Sequence, residues 1–397
     1  MLGAGAAGLA AGLALLDGGA DVTVLEAAPR AGGKLGSLRK NGFLLESAAI
    51  GLLDRHGDLA PLCTRLGLEL LPARPGTRFV ERGGVVRRLG PRVFTPRELL
   101  GALKLPFTRR TPGPTETVLE YFQRRAGRAG AFVADAIQTG VYAGDPERLE
   151  MASAFPSLGK RALLPLSSFA GGLQDLVDAF ARALGPTLRL RARVREVRPA
   201  PGVGAAGPGF TLALDEGDLR ADRIVCALPA PDAAALFPAL APLFSTLEAA
   251  PLALVHFGID GPGPQSFGLL APGQPVAGLL FPCALWPGRA PAGSALVTAI
   301  VGGSRHPAAA ALPDDALASL ARGHLSRTLR IEAGAPLHIE RWPRAIPQPL
   351  PGHAQRLDAL ERALPKGVLL AGAWYRGVSV LDCLRQGRRA AAAIHAS

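Results

Sequence analysis

The stretch L-G-A-G-A-A-G at positions 2–8 constrains this chain most, because Gly3, Gly5 and Gly8 fall in G-x-G-x-x-G spacing. Glycines at that spacing let backbone N–H groups approach a pyrophosphate, and the helix that follows turns its positive end toward the phosphates. The triplet alone is weak, but its surroundings match. Residues 9–16 continue as an Ala/Leu-rich helix, residues 20–25 read as a short apolar strand, and that strand ends on Glu26. An acidic side chain about 20 residues past the glycines accepts hydrogen bonds from a ribose diol. The expected contacts at this end are Gly3, Gly5, Ala6, Ala7 and Gly8 with phosphate, and Glu26 and Ala27 with ribose.

A dinucleotide fold also places a buried strand of about five residues before the first glycine. Only Met1 and Leu2 precede Gly3. The expectation is a truncated first strand, or a loop anchored in some other way.

With 397 residues and 48% hydrophobic content, the chain exceeds what one core usually holds, so two or three domains are expected within one folded body. The positive charge behind the net +12 comes almost wholly from arginine, since the lysines are only Lys34, Lys40, Lys104, Lys160 and Lys366. A GC-rich coding sequence produces the same Ala/Gly/Pro/Arg bias, so much of that charge is discounted. What remains favours an anionic partner, a carboxylated substrate or an acidic lipid surface. Nucleic acid is disfavoured, because no basic stretch is interleaved with aromatics, which are 5% of the chain. Cys63, Cys226, Cys283 and Cys383 show no C-x-x-C and no metal-ligand spacing, which fits buried thiols in a reducing compartment. No uncharged apolar run reaches the length of a bilayer span.

Beyond Glu26, Arg30-Ala31-Gly32-Gly33-Lys34 forms a second glycine-rich turn that can set backbone amides and one cation beside the same cofactor. Residues 42–47 read as a strand, 59–71 as a helix, and 78–89 as a hairpin about Gly83-Gly84. Residues 95–150 read as helical, broken by a linker at 106–114. Within them, 99–107 sets leucines and Phe107 beside Lys104, Arg109 and Arg110. That pattern suits a segment lying in a membrane interface, and equally an amphipathic helix packed on its own domain. Residues 188–197, 210–214 and 221–230 return as strands, with Val194 in the first of them. Residues 251–303 alternate short strands with Gly/Pro turns, an antiparallel sheet, and 313–329 read as a helix.

Near the end, 368–387 reads V-L-L-A-G-A-W-Y-R-G-V-S-V-L-D-C-L-R-Q-G. A strand ends at Ala371-Gly372, a turn crosses Gly377, and a helix is expected from about Val378. Its positive end can stabilise negative charge by about 0.3–1 kcal/mol at an exposed site.

The two glycine turns resemble those of the flavin-dependent amine oxidase superfamily. The resemblance sharpens to the oxygen-dependent protoporphyrinogen oxidase family through A-G-x-x-Y-x-G-V-x-V-x-D-C-x-x-x-G, A-I-P-Q at 345–348 with Gly352-His353, V-Y-A-G-D-P at 141–146, F-G-L-L-A-P at 267–272 and V-T-A-I-V-G-G at 297–303. Three departures stand out: the short start, Lys34 where arginine is frequent, and Ala48-Ala49-Ile50 where Gly-Pro often follows the glutamate. The resemblance implies an α/β fold: a Rossmann-like FAD-binding domain, an α+β substrate domain and a helical membrane-binding insertion. The implied boundaries are FAD-binding parts at 1–72, 163–245 and 353–397, substrate-domain parts at 151–162 and 246–352, and the helical insertion at 73–150.

By the same resemblance, FAD and O2 would convert protoporphyrinogen IX to protoporphyrin IX and hydrogen peroxide, with hydride passing to the flavin and pyrrole protons lost by tautomerisation. Arg78 would hold a substrate propionate, and Phe267, Gly268, Leu270 and Ile300 would sandwich the macrocycle. FAD contacts would extend to Gly32, Gly33, Lys34, Val194, Gly372, Gly377, Val378, Ser379 and Val380. No side chain is assigned a catalytic proton transfer and no metal is expected. The implied partners are a membrane surface, possible ferrochelatase and a possible homodimer, in a cytoplasmic protein peripheral to the inner membrane.

Three alternatives stay open: coproporphyrinogen III as substrate, another amine oxidase chemistry, and a degenerate protein without flavin. Many amine oxidases use a lysine beside the flavin, and none lies between Lys160 and Lys366. Trp374 keeps the amine reading alive, since an amine-binding aromatic cage would place a ring there.

Overall fold

The computed structural model describes residues 1–396 apart from 55, 157–165 and 202–207. Lys160 and the second half of the 151–162 segment lie outside the described residues. Five short stretches run parallel, in the order Leu188–Arg189, Val24–Leu25, Leu2, Ile224–Cys226 and Val368–Leu370. Leu2 is 1% exposed and occupies the centre. Its N–H donates to Val225 O at 3.0 Å and its carbonyl accepts from Ala227 N–H at 2.9 Å, while Leu25 N–H reaches Met1 O at 2.9 Å. The strand that the fold class requires is therefore represented by Met1 and Leu2, tied on both sides.

The glycine-loop helix, Ala6–Asp17, starts three residues earlier than its apolar pattern suggested, because Gly5 serves as its N-cap. It lies against the C-terminal helix, Val380–His395, and the approach demands glycine: a Cβ on Gly387 would sit 2.1 Å from Ala7 O. Leu9, Leu13, Val24, Phe180 and Leu384 close the core beneath. Each such side chain, fully buried, contributes about 1.5–3 kcal/mol.

A second sheet of seven strands holds the other half. Its order is His338–Pro347, Ala249–Asp260, Ser294–Gly302, Val276–Leu280, Gly268–Leu270, Arg78–Arg82 and Val85–Arg88. All neighbours are antiparallel except Gly268–Leu270 beside Arg78–Arg82. Because side chains alternate between faces, Ala253, Val255, Phe257, Val297 and Ala299 point one way, onto the helix Asp314–Leu329 through Leu317 and Leu325. Leu254, Ile300 and Leu270 point the other way. The hairpin Arg78–Arg88 thus belongs to this sheet, although it precedes the helical stretch in sequence.

Several elements are shorter than their patterns suggested. The helix over 59–71 stops at Leu66, where Gly67 takes φ +65, and the strand over 20–25 is reduced to Val24–Leu25. Residues 95–150 form Pro96–Ala102 and Val118–Tyr142, the latter kinked where Gly127 takes φ +57. The first of these helices buries no residue, and Leu100, Leu103 and Phe107 are 64, 67 and 90% exposed. No helix among the described residues is long and apolar enough to cross a membrane.

Candidate active site

The first glycine loop leaves the central strand with Gly3 at φ +90, and Gly3 N–H donates to Leu25 O at 2.8 Å. A Cβ on Gly8 would fall 1.9 Å from Gly3 O, so this glycine lets the helix pack on its own loop. A Cβ on Gly5 would meet nothing within 4 Å. The helix behind it has no side-chain cap and no acidic residue in its first turn. Open space in front of an uncapped helix N-terminus fits a pyrophosphate, with the N–H groups of Ala6 and Ala7 as donors.

Glu26 sits at the end of the neighbouring strand. Its carboxylate accepts from Ala4 N–H and Ala28 N–H, each at 2.8 Å. Two bonds leave acceptor capacity for a ribose diol, since an ionised carboxylate has about four lone-pair sites. Ala27 follows, exposed. Ala192 N–H donates to the Glu26 carbonyl at 2.8 Å, which brings Val194 to within two residues of that contact.

The second loop lies against the first. Gly32 N–H donates to Ala4 O at 2.8 Å, and a Cβ on Gly33 would stand 3.3 Å from Gly5 Cα. Arg30 holds the loop by donating to the carbonyls of Ala31, Gly33 and Leu35. Lys34 Nζ donates to the carbonyls of Arg344 and Ala345 at 2.5 Å each, and so ties the parallel sheet's loop to an edge strand of the seven-stranded sheet. Burial lowers its pKa to about 8.

The C-terminal turn completes this wall. Gln386, 6% exposed, accepts from Gly372 N–H at 3.0 Å and donates to Gly377 O at 3.2 Å. Val378 packs with Ile346 against the cluster containing Tyr142. The helix begins at Val380, two residues later than expected, with Ser379 as its N-cap. Ser379 and Asp382 form a reciprocal capping box that already satisfies both of their backbone N–H groups. The N–H groups of Arg376, Gly377 and Val378 have no hydrogen-bond partner among the described residues.

Trp374 does not form an aromatic cage. It is 6% exposed, donates from Nε1 to Leu228 O at 2.8 Å, and meets Phe244 edge to face at 5.6 Å. Burial pushes the Cys383 thiol up to about 12, which keeps it protonated and unreactive.

On the seven-stranded sheet, the register sorts the expected substrate contacts into rows. Leu270 lies opposite Gly278, and Gly278 opposite Ile300, so two apolar side chains flank a glycine on one face. In the next row Arg78 pairs with Gly268. The Arg78 guanidinium stands 4.8 Å from the Phe267 ring centroid, and Arg78 has no carboxylate partner among the described residues. Gly140, near the end of the kinked helix, approaches Leu270: a Cβ there would lie 3.3 Å from Leu270 Cδ2. Gln386, Gly278 and Gly140, which make these contacts, are not among the residues that the motifs single out. Only Gln386 carried a signal, its place in the C-terminal run.

Residues 6–395 match the Flavin containing amine oxidoreductase family. The chain is 25% identical to Coproporphyrinogen III oxidase of Bacillus subtilis, over 93% of this chain and 90% of that protein. It is 29% identical to human Protoporphyrinogen oxidase, over 99% of this chain and 97% of that protein. Among solved structures, Cyclohexylamine Oxidase from Brevibacterium oxydans superposes with a TM-score of 0.77 at 22% identity, over 99% of this chain and 97% of that one. The resemblance read from the motifs holds, and FAD is the cofactor that the glycine loops and Glu26 fit. The chain belongs to the flavin containing amine oxidoreductase family.

Proposed function

We propose that the chain oxidises protoporphyrinogen IX to protoporphyrin IX, with O2 as the terminal acceptor. The observation that carries this reading is the strip of Gly268, Leu270, Gly278 and Ile300 beside the Arg78 guanidinium, which has no carboxylate partner among the described residues. A flat tetrapyrrole matches a broad apolar strip interrupted by glycines, and a propionate matches a free cation at its end. FAD, when bound, takes up the hydride equivalents that the substrate loses.

The residues of this chain hold and orient. Gly3, Gly5, Ala6, Ala7, Gly8, Glu26, Gly32 and Gly33 hold the dinucleotide, and the turn from Gly372 through Val380 faces the ring. Arg78 binds a propionate through a charge-assisted bond of about 1.5–3 kcal/mol. The Phe267 ring beneath the guanidinium limits its swing. The burial of Trp374 removes the ring that an amine cage needs.

Coproporphyrinogen III, with four propionates, is the second reading, supported by the relative from Bacillus subtilis. Against it, Arg82 on the Arg78 strand is paired with Glu98, and Arg305 with Asp135. Their charge is already neutralised, which favours the substrate with fewer carboxylates. Attachment to an anionic membrane surface is supported by the exposed side chains of Leu99, Leu100, Leu103, Leu105 and Phe107. The test of the substrate is porphyrin fluorescence from FAD-loaded protein given each porphyrinogen, in air and without O2. Faster oxidation of coproporphyrinogen III would favour the second reading.

A further inference from the structure

The turn 372–377 is gripped from two sides. Gln386 of the C-terminal helix closes its ends. The helix His353–Ala363 takes hold of its tip: Asp358 and Glu361 accept from the Arg376 guanidinium at 2.9 and 3.1 Å, and Glu361 also accepts from the Tyr375 hydroxyl. Those contacts lie at the surface and hold side chains. One contact comes from inside and holds the backbone: His353 Nε2 lies 3.1 Å from Tyr375 O.

A carbonyl oxygen only accepts, so the His353 ring carries its proton on Nε2. Its other nitrogen, Nδ1, is buried and has no partner among the described residues. His353 itself is fixed by its own N–H to Leu350 O at 2.9 Å, and by Glu150, 2% exposed, which accepts from Gly352 N–H at 3.0 Å. A trans peptide points its N–H opposite to its C=O. Holding Tyr375 O on the His353 side therefore aims the Arg376 N–H the other way, and this N–H, like those of Gly377 and Val378, has no partner among the described residues.

We infer that His353 is a positioning residue: by fixing the peptide between Tyr375 and Arg376, it presents the backbone donors at 376–378 to the electron-rich edge of reduced FAD. This rests on the reading that the turn faces the flavin ring. Donors aimed in advance favour the reduced, more negative ring over the oxidised one. Removing the aim weakens binding of the reduced form more than of the oxidised form.

The test compares His353→Ala with His353→Gln, whose amide Nε2 can still donate to Tyr375 O. FAD content, FAD dissociation constant and the two-electron midpoint potential are measured on each loaded protein. The expected result is a tenfold selective loss of reduced-FAD affinity in His353→Ala, a midpoint about 30 mV more negative, and recovery of more than half of that in His353→Gln. An unchanged midpoint, or equal effects in both variants, overturns the inference. Oxidised and reduced FAD weakened equally in the alanine variant, with no shift of midpoint, would mean that His353 only shapes the turn and overturns it as well. Should the alanine variant not fold, imidazole 15N shifts of the unaltered protein decide: a neutral Nε2–H ring for His353 supports the inference, and an Nδ1–H or charged ring overturns it. If the unaltered chain binds no FAD, the functional reading itself fails.

Discussion

Gln386 bonds to Gly372 across fourteen residues of sequence, its Oε1 accepting the Gly372 N–H at 3.0 Å inside the protein. Its Nε2 reaches Gly377 O, so one side chain spans the turn from Gly372 to Gly377. Gln386→Ala strands a buried N–H, a cost of about 1–3 kcal/mol. The expected outcome is that much lost stability in urea unfolding and weaker FAD binding by equilibrium dialysis. Unchanged FAD affinity would mean the turn keeps its shape without the side chain.

The glycines of the first loop separate folding from binding. Gly8→Ala drives a Cβ into Gly3 O and is expected to lower stability with or without FAD. Gly5→Ala meets nothing in the protein and has an ordinary φ of −72. It should fold with unchanged apo stability and bind FAD at least tenfold more weakly, because the methyl occupies the space for phosphate. Calorimetry of both apo proteins with FAD titration tests this; equal apo destabilisation would place Gly5 in the packing instead.

Much of the first loop was legible because its chemistry is local. Gly3, Gly5, Gly8 and Glu26 lie within one strand–helix–strand unit, and alternation over 251–303 revealed the antiparallel sheet in the same way. The misses are non-local. Gly278 gains meaning only from its neighbours Leu270 and Ile300 on adjacent strands. Trp374 reads as a ring near the flavin until Phe244 and Leu228 O are seen to enclose it. The start of the last helix was set by the Ser379–Asp382 box, which outweighed the apolar pattern that began at Val378.

Glu46 makes stability depend on pH. It is 5% exposed and caps the helix Gln174–Leu184 from another strand, by accepting Leu173 N–H, with Ser37 Oγ bonded to it at 2.7 Å. Burial raises its pKa from 4.5 to about 7, with the Ser37 bond and the Arg289 charge opposing. The folded state therefore holds the proton more tightly than the unfolded chain. The contribution is full below pH 4.5 and is lost as pH rises to about 7, at up to about 1.4 kcal/mol per pH unit. Chemical denaturation from pH 4.5 to 7.5 should show this fall, and Glu46→Gln should flatten it. An identical slope in the variant would assign the dependence to other groups.

The exposed segment 99–107 gives a membrane prediction. Phe107 is 90% exposed, and Leu100 and Leu103 nearly two-thirds so. Leu100→Asp with Phe107→Asp should cut co-sedimentation with phosphatidylglycerol vesicles several-fold and leave FAD content unchanged. Equal sedimentation of both proteins would return the segment to ordinary surface.

Arg78 and the apolar strip beside it carry the proposed substrate binding. The deciding measurement is the rate of porphyrin fluorescence when the FAD-loaded chain meets protoporphyrinogen IX in air, for the unaltered protein and Arg78→Ala. The unaltered protein is expected to give porphyrin and hydrogen peroxide. In the variant KM is expected to rise about tenfold, as loss of about 1.4 kcal/mol of propionate binding gives. A flavin-bearing protein that oxidises neither protoporphyrinogen IX nor coproporphyrinogen III would contradict the proposed function.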